Sequence, residues 1–88
     1  MNKAAIQLNC AISMIRNLKG YRFNPCAFTD LREIATIHPT MEECKVKLTE
    51  IETYLEQNPE LASRFDSVKD ACGCTGRLFL NTAKNLIR

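Results

Sequence analysis

The chain has no tryptophan, and four Phe and two Tyr are its only aromatics in 88 residues. Its core must therefore be built mainly from aliphatic side chains. Glycine and proline are scarce, at three each, which excludes a collagen-like or low-complexity chain and leaves long stretches without a breaker. There is a single histidine, His38. No stretch approaches the roughly 20 apolar residues that span a bilayer. Near the start, Gln7, Asn9 and Ser13 interrupt the apolar run that a secretory signal needs. Cysteine is the residue in excess: there are five, an odd number.

With 45% apolar and 25% charged residues, the composition is that of a folded soluble domain. A length of 88 residues allows one domain, 1–88. A cytoplasmic location is expected, where thiols stay reduced. The odd count bars complete internal pairing, so the cysteines are expected to act as small apolar side chains.

Apolar residues recur at steps of three and four, the helical seam. Ala4, Leu8, Ala11, Ile15 and Leu18 form one such face, predicting a helix over about 3–19 with Gly20 as its left-handed stop. Ile12 and Met14 flank this stripe, and Asn9 and Arg16 lie away from it. A short helix is expected over 30–37, ended by Pro39. Thr40-Met41-Glu42-Glu43 fits a capping box and opens a helix over 41–57, with Met41, Cys44, Leu48, Ile51 and Leu55 on its seam. Glu43 and Lys47, four apart, fit a helical ion pair. Asn58-Pro59 ends that helix and starts another, as N-cap and first residue.

From Leu61 the seam runs through Phe65, Val68, Cys72, Thr75 and Phe79 to Ala83 and Leu86. Because Gly73-Cys74-Thr75-Gly76 does not disturb its phase, one long helix over 59–87 is favoured, straight or kinked at the glycines. The alternative is two helices broken at 73–76, since each helical Gly costs about 1 kcal/mol relative to Ala. The predicted fold is thus an all-α bundle of three to four helices. A core this small gains from added burial, so a homodimer or other self-association is plausible on energetic grounds.

The formal charge of +2 hides a segregation. Lys3, Arg16, Lys19 and Arg22 at one end, and Arg77, Lys84 and Arg88 at the other, have no acid among them, while all ten acids lie between. If the terminal helices pack side by side, their polar faces make a basic surface, with the acidic 41–57 helix elsewhere. Such a surface attracts an acidic protein or a polyanion, although Lys84 and Arg88 also match a helix C-terminus.

No catalytic constellation is present. His38 beside Pro39 lacks an orienting partner and an oxyanion site. Cys72-Gly73-Cys74 has one intervening residue, where zinc pairs normally have two to four. It also lacks the C-x-x-C spacing of a redox dithiol. On a helix its two thiols point about 200° apart, so Cys72 is expected in the core and Cys74 at another interface. Gly73 and Gly76 could form a groove for a neighbouring helix or a partner chain. A helix-turn-helix over residues 31–43 is disfavoured, because Glu42 and Glu43 would face phosphates.

No cofactor, metal or enzymatic activity is expected. The leading expectation is a small accessory protein, an inhibitor, adaptor or subunit, that binds a partner protein. Its contact residues would be Arg16, Lys19, Tyr21, Arg22, Phe23, Arg77 and Lys84. Nucleic-acid binding through the same basic ends is the alternative, and no membrane partner is expected.

Overall fold

The computed structural model describes residues 2–20, 33–34 and 39–87. Among them lie four helices and no strand: α1 (Lys3–Leu18), α2 (Met41–Gln57), α3 (Pro59–Ser67) and α4 (Gly76–Ile87). The all-α bundle expected from the sequence is the architecture found. No described helix is long and apolar enough to cross a membrane. The expected helix over 30–37 falls largely outside the described residues, and Glu33 and Ile34, which are described, are not helical.

α1 is the centre of the bundle. It packs against all three other helices and most extensively against α4. The five residues of its predicted stripe are buried, and so are Ala5, Ile12 and Met14. A stripe this wide follows from neighbours on several sides. Burying a side chain such as Leu8 or Ile12 contributes about 1.5–3 kcal/mol. Asn2 caps the helix, its Oδ1 accepting from the Ala4 amide at 2.8 Å. Gly20 follows the last turn at φ 74°, the left-handed conformation that glycine adopts without a Cβ penalty.

α2 begins with the predicted capping box. Thr40 Oγ1 accepts from the Glu43 amide at 3.1 Å, and Glu43 Oε1 accepts from the Thr40 amide at 3.2 Å. Glu43 is thereby committed to the cap, and Lys47 pairs with Glu50 at 2.7 Å rather than with Glu43 as the spacing predicts. Cys44, Ile51 and Leu55 are buried and Leu48 is partly so, but Met41 is 42% exposed. The seam thus reaches the core only beyond the first turn. Pro59 opens α3 as expected. Asn58 stands at the N-cap position, yet its side chain turns back, and Nδ2 donates to the Tyr54 carbonyl at 2.8 Å. It finishes α2 instead of starting α3.

The favoured single helix over 59–87 is not formed. α3 ends at Ser67, and residues 68–75 turn the chain before α4 starts at Gly76. The side chain of Asp70 explains the break. Its Oδ1 accepts from the amides of Cys72 and Cys74, both at 2.9 Å, satisfying donors that a helix would otherwise use. The backbone closes the turn: Asp70 N donates to Cys74 O at 2.8 Å, and Gly73, at φ 80°, donates to Asp70 O at 3.1 Å. Thr75 then starts the next helix, its Oγ1 accepting from the Leu78 amide at 3.2 Å.

The break moves the seam. In α4 the buried residues are Gly76, Leu80 and Ala83, with Ile87 packed against the core. Phe79 is half-buried, and Val68 and Leu86, both placed on the expected seam, are 41% and 40% exposed. Cys72, expected in the core, is exposed in the turn. The helical phase through 68–75 was a coincidence of spacing.

Gly76 has a packing role. An added Cβ there would lie 2.3 Å from Cε2 of Phe65, whose ring is fully buried. Of the two occupants expected at these glycines, a neighbouring helix or a partner chain, Gly76 meets the first, through Phe65 of α3. Gly73 lies in the turn and forms no helical groove with it.

Candidate functional site

α1 and α4 do pack side by side, as the charge argument required. Four of the basic residues on or beside these helices, however, are engaged within the chain. Arg16 Nη1 meets Glu33 Oε1 at 2.9 Å, Arg77 Nε meets Asp66 Oδ1 at 2.7 Å, and Lys84 Nζ meets Glu52 Oε2 at 3.1 Å. Lys19 donates to the Tyr54 hydroxyl and lies 5.0 Å from that ring's centroid. Arg77 also stands 5.6 Å from the centroid of Phe65. The acidic helix does not lie elsewhere: Glu52 of α2 reaches α4, and Asp66 of α3 does the same. These four cations are distributed over cross-element contacts instead of forming one unopposed field. Tyr21, Arg22 and Phe23, the other expected contact residues, lie outside the described residues.

A different surface has the shape of a binding site. An open groove of about 350 Å³ follows α1 and is mainly apolar. Ile6, Cys10 and Met14 line it from α1, together with Phe79 of α4 and Asp70 of the turn. Asn9 and Asn17 add polar edges. Asn9 has a structural task as well, since its Oδ1 accepts from the Ile34 amide at 3.0 Å and fixes buried Ile34 against α1. Ile6 is 41% exposed. Leu86 lies seven residues beyond Phe79, within about 20° of it around the helix, so the apolar strip continues along α4.

Sequence reasoning missed this groove because it assigned Phe79 to the core seam. The signal was present in the alternative register Gly76, Leu80, Ala83 and Ile87, which also advances at steps of four and three. A second groove of about 480 Å³ lies where α2 turns into α3, between Lys19 and Leu18 on one side and Pro59, Leu61 and Arg64 on the other.

The thiols divide by environment. Cys44 is fully buried, and burial, followed by the charge of Glu43, pushes its thiol pKa up. Cys10, in the groove wall, is pushed up by burial first, then by the charges of Asp70 and Cys74. A raised value keeps the thiol protonated and lowers its nucleophilicity. Among the described residues no group of three or more His, Cys, Asp or Glu side chains is arranged to hold a metal ion. The chain matches no protein-family model, no curated protein and no solved structure.

Proposed function

We propose that the chain is a small, non-enzymatic protein-interaction module whose α1–α4 groove receives an apolar segment of a partner protein. The observation that carries this reading is the open groove itself, with Ile6, Met14 and Phe79 in its wall. Apolar clefts with a few polar groups at the rim are the usual form of a recognition site. The contribution of Arg16, Lys19, Tyr21, Arg22, Phe23, Arg77 and Lys84 to the same interface is a further part of the proposal. It is the weaker part, because Arg16, Arg77 and Lys84 each already hold an acid. The same engagement leaves less free positive charge for phosphates and weighs against the nucleic-acid alternative. A cytoplasmic setting belongs to the proposal too, and cell fractionation tests it.

The test compares wild-type protein with Ile6→Lys and with Arg16→Glu/Arg77→Glu in capture from native lysate, alongside molar mass in solution. A protein retained by wild type and lost with Ile6→Lys, while circular dichroism stays unchanged, supports the groove. If Ile6→Lys retains it and the charge reversal loses it, the basic residues carry binding instead. A wild-type dimer that Ile6→Lys converts to monomer makes a second copy the occupant. Retention on immobilised DNA that falls steeply with salt would favour the polyanion reading.

A further inference from the structure

One cation and one carboxylate border the α1–α4 groove without meeting an opposite charge among the described residues. Lys3 is exposed and forms no ion pair there, unlike Arg16 of the same helix. Seven residues separate it from Cys10, which lines the groove, so the two lie within about 20° of each other around α1. Lys3 therefore stands on the groove side of α1, about one turn before Ile6, the first α1 residue of the lining. Asp70 lines the groove itself and is its only charged side chain among the described residues. Its Oδ1 accepts from two amides of its own turn, at 2.9 Å each, but no cation among the described residues compensates the carboxylate. The surface these two charges border is apolar. Ile6 is 41% exposed, Phe79 is half-buried, and Leu86 carries the strip along α4 at 40% exposure.

We propose that the α1–α4 strip is the twofold interface of a homodimer, in which a second copy covers Ile6, Phe79 and Leu86 and Lys3 of each chain pairs with Asp70 of the other. In a twofold pair, residue i of one copy meets residue j of the other, and j meets i. Turning a second copy end for end over the strip sets each Lys3 towards the opposite Asp70, so one surface makes the same ion pair twice. The parallel arrangement would set Lys3 against Lys3. An unrelated partner would have to bring an acid for Lys3 and a base for Asp70, whereas a second copy brings both by symmetry. A single core in a chain of 88 residues also gains from the added burial. The inference rests on the docking reading above and gives that groove its occupant.

Sedimentation equilibrium of the full chain at rising concentration, up to the millimolar range, measures the dimer constant. Wild type should dimerise, and Ile6→Lys should lose the dimer while circular dichroism stays unchanged. Lys3→Glu should weaken dimerisation about tenfold at low salt, the yield of two exposed pairs turned from attraction to repulsion. Salt should then act with opposite signs, weakening the wild-type dimer and strengthening that of Lys3→Glu. Carbodiimide coupling of mixed unlabelled and isotope-labelled wild type should give a Lys3–Asp70 amide between a light and a heavy chain. This readout needs no variant, so a misfolded mutant would not obscure the answer. A wild-type dimer that Ile6→Lys leaves intact, a Lys3→Glu dimer with the wild-type constant, or coupling between chains only at other positions overturns the inference. A monomeric wild type overturns it as well. The docking reading survives that last result if a lysate protein is retained by wild type and lost with Ile6→Lys, and fails with it if none is.

Discussion

At Gly76 a missing side chain decides how two helices meet. The Phe65 ring occupies the volume a Cβ would take, at 2.3 Å from its ideal position, and the ring is itself buried on every side. Gly76→Ala should therefore force the ring or the helix to move, costing about 1–3 kcal/mol, the usual range for overpacking. Urea denaturation measures this, and a stability unchanged within error would show that the α3–α4 contact is soft. Phe65→Leu combined with Gly76→Ala should recover part of the loss, because the smaller side chain leaves room for the methyl. The sequence made the glycine visible but not its reason. A Gly read alone is a breaker, and only the three-dimensional approach of Phe65 reveals it as a packing site. Cys44 was more legible, since its place on a regular seam put it in the core.

The helices whose ends carry side-chain signals were the most readable elements. Gly20 after α1, the Thr40 box and Pro59 mark their boundaries through backbone donors and φ angles, which are local physics. The connection after Ser67 was harder to read, since its decisive contacts run from the Asp70 side chain to amides two and four residues on. Apolar periodicity contains no record of such bonds, so Cys72 and Thr75 passed as seam residues. Asp70→Ala removes the acceptor from two turn amides. It should destabilise the chain by about 1.5–3 kcal/mol, the range for a hydrogen bond to a charged group. Amide hydrogen exchange at Cys72 and Cys74 should accelerate selectively. Asp70→Asn, which keeps an acceptor oxygen, should retain most of the protection. Unchanged exchange in both variants would mean that the turn is held by its backbone bonds alone.

For the whole molecule, the separation of basic ends from an acidic middle becomes a set of contacts between elements. Lys84 to Glu52 joins α4 to α2, Arg77 to Asp66 joins α4 to α3, and Arg16 to Glu33 ties α1 to the segment before α2. The sequence showed the asymmetry, but pairing depends on which helices become neighbours, so its consequence could not be read from charge order. These pairs are partly solvated, with side chains of Lys84 and Glu52 exposed by 37% and 38%. Exposed pairs of this kind couple by about 0.2–1 kcal/mol and are weakened by salt. A double-mutant cycle on Lys84→Ala and Glu52→Ala should return a coupling in that range, shrinking as salt is raised. The core, with α1 buried against three neighbours, should carry most of the stability. Moderate salt should therefore leave the urea midpoint nearly unchanged. A large salt-induced loss would instead mean that the ion pairs, rather than the α1 seam, hold the basic and acidic parts of the chain together.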